Sequence, residues 1–242
     1  MPKSQIIKDI VEDKESIEKS MTRLYVLAKD IKNGQIELWA KQELEGYQNT
    51  NDVPDYRKFT SDMIRYSGIN GNFQVNGAAL PAGVIDAEHY EQIRKVVICD
   101  GLSIVSEFTS NDSSPRKDLS WMASEISNNT KGQISCSSIE QIIPQTFFKK
   151  IISEVKNIMI TILCELEKEY GNLDGLVIDV SKIEPMVVED NNNRINRAVF
   201  NISIPEKKEP LFLKVTWNIV VPIIAAIAGA IISAVVIKIF GL

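Results

Sequence analysis

The residues best suited to chemistry are few. One histidine is present, His89, in the segment DAEHYEQIRK between Glu88 and Glu91. A zinc site built on imidazoles needs a second histidine at helical spacing; none exists, so a His-rich metal site is excluded, a Cys/His/carboxylate site is a remote alternative, and His89 reads as packed or solvent-facing. The three cysteines, Cys99, Cys136 and Cys164, are widely spaced, with no CxxC pair. They read as reduced thiols in a reducing compartment. There is no GxSxG nucleophile elbow, and GINGN lacks the ending of a phosphate-binding loop. Carboxylates recur close together, as at Glu43 and Glu45 or at Glu165, Glu167 and Glu169, in segments where such residues form the wet face of an amphipathic helix. The expectation is a protein with no catalytic residue, no metal and no cofactor.

The elements that would carry any site are mostly helical. Ile6, Ile7, Ile10 and Val11 suggest a short first helix. Ile17, Met21, Leu24, Ala28 and Ile31 then recur at spacings of three and four, one face of a second. Asn33-Gly34 reads as its stop, with Gly supplying a left-handed residue. Ile36, Trp39, Ala40, Leu44 and Tyr47 mark a third helix, completing a small bundle. Pro54 sits in a polar connection, and residues 62–85 look like short strands or a hairpin. Residues 86–108 read as helix, interrupted or bent near Gly101, and the Trp121 segment as another helix. The broadest apolar stripe follows Pro144, from Phe148 through Leu166 to Tyr170-Gly171, and predicts a central helix with several neighbours. LVIDVSKI and RAVFNISI read as two strands around the turn EDNNNR.

The end of the chain differs in kind. Residues 215–237 carry no charge, and Lys238 is the one charged residue beyond Lys214. A helix of that length covers roughly 35 Å, enough for a hydrocarbon core of about 30 Å. Trp217 suits an interfacial belt, and Lys207, Lys208 and Lys214 against Lys238 place the body in the cytoplasm by the positive-inside rule. Within this span Ala226, Ala230 and Ala234, and likewise Ala225, Gly229 and Ser233, repeat every four residues. Small residues at that spacing let two helices approach closely, so Ala226, Gly229, Ala230, Ser233 and Ala234 form a helix-association face. The N-terminus lacks the apolar core of a signal peptide. With 32 acidic against 27 basic residues, broad nucleic-acid binding is not expected.

The fold class that follows is mainly α with a minor β component (α+β): an N-terminal helical bundle, a central long helix, short strands and a single C-terminal transmembrane helix. The expected divisions are residues 1–60, the rest of the body over 61–204, a charged linker over 205–214 and the span over 215–238.

One stretch carries more than periodicity. Leu27, Ala28 and Ile31 lead to Trp39, Glu43, Leu44, Gly46 and Tyr47, and then to Pro54, Tyr56 and Arg57. This order resembles the N-terminal region of the AbiTii family of bacterial abortive-infection systems, with Glu45 standing where Asn is expected before the Gly-Tyr pair. Read physically, Trp39 and Tyr47 are packing anchors, Gly46 permits a tight exit, and Arg57 locks its loop through nearby Asp52 and Asp55. The resemblance implies an adaptor or sensor module joined to an effector part, here the span. The expected protein is an anti-phage protein of the bacterial inner membrane, single-pass with a cytoplasmic body, whose homo-oligomerising span disrupts the bilayer. Its partners would be the lipid bilayer, further copies, and a defence-system protein or nucleotide signal. The alternatives are a membrane-tethered scaffold recruiting a separate toxin or sensor, and a hydrolytic enzyme, which the missing constellation disfavours.

Overall fold

The computed structural model describes residues 3–110, 114–175 and 177–200. The linker at 205–214, the span at 215–238 with its association face Ala226, Gly229, Ala230, Ser233 and Ala234, and the end of RAVFNISI lie outside the described residues. Among the described residues no helix is long and apolar enough to cross a membrane.

Three helices open the chain: α1 (Gln5–Val11), α2 (Ile17–Asp30) and α3 (Gly34–Glu45). Ser16 caps α2 by accepting from the Lys19 N–H, and the face expected from spacing is the buried one, Met21, Leu24, Ala28 and Ile31. The stop is built differently from the expectation. The left-handed residue is Lys32 (φ 54), and Gly34 is already helical. The Lys32 N–H bonds to Lys29 O and the Asn33 N–H to Ala28 O, a paired closure of the helix end. Asn33 then caps α3 through its own side chain. One residue thus ends one helix and starts the next, which leaves Gly no role in the left-handed position.

The long helix α7 (Gln145–Tyr170) is the centre of the helical core. Phe148, Ile151, Val155, Met159, Ile162, Leu163 and Leu166 are all buried there, against residues of α1–α3, α5 (Leu102–Ser110) and α8 (Pro185–Phe200). At about 1.5–3 kcal/mol per buried aliphatic side chain, packing outweighs intrinsic propensity in holding this helix.

Two sheets complete the fold. β1 (Lys58–Thr60) and β4 (Lys95–Val97) form an antiparallel ribbon whose inner residues, Phe59 and Val96, turn to the helical core. The second sheet has the antiparallel order β3-β2-β6-β5, from β2 (Ile64–Asn70), β3 (Phe73–Ala79), β5 (Arg116–Asp118) and β6 (Ile134–Ile142). Ile64, Tyr66, Ile134 and Ile139 from this sheet join Ile126 of α6 (Ala123–Asn129) and Ile93 of α4 (Ala87–Ile93) in a separate, smaller core. The α+β class and the hairpin in 62–85 agree with the sequence reading. Two segments correct it. EDNNNR is not a turn between strands but lies within α8, which opens with Pro185 and buries Val188, Asn191 and Ile195 at spacings of three and four. Residues 86–108 are interrupted rather than bent, and earlier than Gly101, because the β-branched run VVI passes through β4 between α4 and α5.

The end of α7 also clamps the N-terminus. Glu167 accepts from the Ser4 N–H and Oγ, each at 2.6 Å, and pairs with Lys3 Nζ at 2.7 Å. Burial alone would raise its carboxyl, but the bonds from Lys3 and Ser4 win and pull it down to about 2. A carboxylate so depressed contributes stability fully present above its ordinary 4.5 and lost as pH falls toward about 2. In hydrogen exchange, the amides of α1 should therefore lose protection in that acid window before those of α7. Glu167→Gln should show the same loss already at neutral pH.

Candidate functional site

The family-like residues converge on one buried carboxylate. Trp39 and Glu43 lie one turn apart on α3, Tyr47 follows its end, and Pro54 opens the single-turn helix Asp55–Arg57 that delivers Tyr56 and Arg57. Glu43 Oε1 accepts from the Tyr47 hydroxyl at 2.6 Å and the Tyr56 hydroxyl at 2.5 Å. Arg57 Nη2 donates to Glu43 Oε2 at 2.5 Å and Nε to Oε1 at 3.3 Å, so the pair is bidentate. Arg57 Nη1 bonds the carbonyls of Ile98 at 3.2 Å and Asp100 at 2.7 Å, and Trp39 Nε1 donates to the Tyr56 hydroxyl at 3.0 Å. Glu43 and Arg57 are both 0% exposed. The expectation that Arg57 pairs with Asp52 or Asp55 is thus corrected: Asp55 is 98% exposed and pairs with Lys58. A fully buried guanidinium needs a buried counter-ion, and Glu43 is the one within reach.

The electrostatics favour the protonated forms of the two phenols and of the guanidinium. Burial and the neighbouring Glu43 charge push the Tyr47 and Tyr56 phenols far above their ordinary range. Burial works against the Arg57 charge, but Glu43 outweighs it and raises the guanidinium further. The phenols and the guanidinium therefore keep their protons near neutral pH, and the bonds from Glu43 through Arg57 to Ile98 and Asp100 make the cluster a brace that ties α3 to the segment 98–101. Leu44 and Gly46 belong to the same joint, since the Leu44 carbonyl and Gly46 lie against Gly101 and Cys99.

A cleft of about 440 Å³ lies beside the brace helix, between the α2–α3 turn and α8. Asn33, Asn192 and Asn196 line it, with Asn33 Nδ2 donating to Asn196 Oδ1 at 3.1 Å and to Asn192 Oδ1 at 3.4 Å. Asn192 Nδ2 also donates to the Ile31 carbonyl at the end of α2. A third arrangement gathers the chain's one histidine. His89 Nδ1 lies 2.8 Å from Glu125 Oε2, the Asp86 N–H donates to Glu125 Oε1, and donor atoms of Asp86, His89 and Glu125 fall within 4.8 Å of one another. One nitrogen and two carboxylates that close could hold a divalent metal. As it stands the group is a polar tie between α4 and α6, and His89 is partly solvent-facing, as expected.

Residues 4–189 match the family model AbiTii. The chain belongs to the AbiTii family. No curated protein and no solved structure matches it. The AbiTii match takes in the whole brace, α7 and the first part of α8, so the family assignment rests on the body. It connects the chain to abortive infection and phage defence. All eight motif residues fall inside the match, and seven of them meet at one joint whose Tyr56 and Arg57 are delivered by the turn that Pro54 opens. Sequence reasoning missed the Glu43–Arg57 bond, because fourteen residues separate the partners. It also missed Glu125 as the partner of His89 and the asparagines of α8. The usable signal for the last was the density of carboxamides in NNNRIN, which a helix places along one side of a cleft.

Proposed function

We propose that this AbiTii protein is a membrane-anchored abortive-infection protein of the bacterial inner membrane. Its cytoplasmic body senses infection, through a defence-system protein or a nucleotide signal. Its C-terminal span associates with those of further copies and breaches the bilayer. The observation that carries this reading is the uncharged run at 215–237 with its four-residue repeat of small side chains, in a chain whose body belongs to a phage-defence family. A non-catalytic body is supported by the brace, where the most strongly shifted ionisable groups are sealed and locked rather than poised for proton transfer.

The test is membrane potential and dye entry in bacteria carrying the full chain, with and without phage. Depolarisation on infection is expected. Deleting residues 215–242 should abolish it and release the body from the membrane fraction. Gly229→Leu should leave the protein in the membrane but remove depolarisation, because a large side chain there blocks close helix approach. Intact membranes alongside phage protection would replace this reading with a tethered scaffold recruiting a separate toxin.

A further inference from the structure

The cleft between the α2–α3 turn and α8 has a lining of two kinds. Asn33 and Gln35 from the turn and Asn192, Asn193 and Asn196 from α8 bring five carboxamides to it. Ile183, Pro185 and Val188 give an aliphatic surface. Lys32 and Glu189 add one charge of each sign, so the lining carries no net charge. Some of the amide capacity holds the protein together: Asn33 caps α3 and bonds Asn192 and Asn196, and Asn192 bonds Ile31. The side chains of Asn193 and Gln35 make no hydrogen bond among the described residues.

Each free carboxamide offers a donor pair and an acceptor side by side. That edge matches the donor–acceptor edges of a nucleobase, which asparagine and glutamine read bidentately. The flat face of a base is buried well against apolar side chains, and a cavity of this size suits a small molecule. Lys32 is offset by Glu189 in this lining, so no cluster of basic groups is built for a phosphate. We propose that this cleft binds a nucleobase or nucleoside, its ring against Ile183, Pro185 and Val188 and its edge read by Asn193 and Gln35. An occupant would bond α8 to the α2–α3 turn. The proposal goes beyond the membrane reading and stands or falls separately, since binding is measured on the body's own residues whatever the span does.

The experiment is isothermal titration of the full-length protein in detergent micelles with adenosine, guanosine, cytidine and uridine and with their 5′-monophosphates. At least one nucleoside should bind with a Kd below about 1 mM, and its monophosphate no more tightly. Asn193→Leu or Gln35→Leu should weaken that binding by roughly tenfold or more at unchanged melting temperature, because neither side chain serves the fold. Failure of every probe to bind, preference for the monophosphates, or unchanged affinity in both variants would overturn the assignment.

Discussion

Glu43→Ala should lower the stability of the body by about 3–5 kcal/mol, the cost of stranding a buried charge without its partner. At roughly 2–4 °C of melting temperature per kcal/mol for a body of this size, the shift is on the order of 10 °C in thermal denaturation. Removing Glu43 leaves Arg57 charged and fully buried, and leaves the Tyr47 and Tyr56 hydroxyls without their acceptor. The decisive comparison is the double variant Glu43→Leu with Arg57→Met. A pair of well-packed apolar side chains needs no counter-ion, so it should recover most of what either single change loses. If Glu43→Ala melts like the natural protein, the brace is not what holds α3. The brace also sets an alkaline limit. With both phenols raised, the stability they contribute is fully present below the ordinary 10.0 and lost as pH climbs above it. Tyr47→Phe with Tyr56→Phe should flatten that alkaline decline while costing stability at neutral pH.

The elements read best from sequence are those whose burial repeats without interruption. The apolar faces of α2 and α7 recur at helical spacing, and the residues named from that spacing are buried apart from Ile17, which is half-buried at the start of α2. β6 escaped because its alternation changes phase. Ser67 pairs with Ser138 but Gly68 pairs with Cys136, which leaves Ser137 as an extra residue in a bulge. Ile134 and Cys136 therefore face inward before it and Ile139 and Gln141 after it, so no single period-two pattern spans the strand. α8 escaped for a different reason. A cluster of asparagines reads locally as a turn, yet Asn191 is buried and Asn192 caps α2, so tertiary bonds override weak helix propensity.

The brace was legible as a set of residues but not as a circuit. Trp39 and Glu43 lie one turn apart on α3 and Tyr47 follows its end, so a helical reading of the segment already places the three close together. The partner of Glu43 comes from beyond a polar loop, and local charge alone favoured Asp52 and Asp55 for Arg57. What rejects them is desolvation, a quantity that depends on the finished core and not on distance along the chain.

The joint between α3 and segment 98–101 should respond to a single methyl group. A Cβ on Gly101 would lie 2.4 Å from the Leu44 carbonyl oxygen, and a Cβ on Gly46 would lie 2.8 Å from that of Cys99. Gly46 also sits at φ +94, which side chains rarely adopt. Both obstacles are backbone, so neither can be relieved by rotating a side chain. Gly101→Ala and Gly46→Ala should each cost about 1–3 kcal/mol from overpacking, with a further 1–2 kcal/mol or so of backbone strain at Gly46. The crossing they occupy is bonded by Tyr47 N–H to Cys99 O at 2.8 Å and by Arg57 to the Asp100 carbonyl. Pushing segment 98–101 away from α3 must therefore lengthen the bonds of the brace. Gly101→Ala combined with Arg57→Met should fall short of additivity by more than about 0.5 kcal/mol in a denaturation cycle. Gly34 provides the contrast, because it is already helical and a Cβ there meets nothing within 4 Å. Gly34→Ala should stabilise by about 0.4–1 kcal/mol through the unfolded chain. Equal effects at all three glycines would mean that α3 and segment 98–101 are not held in contact.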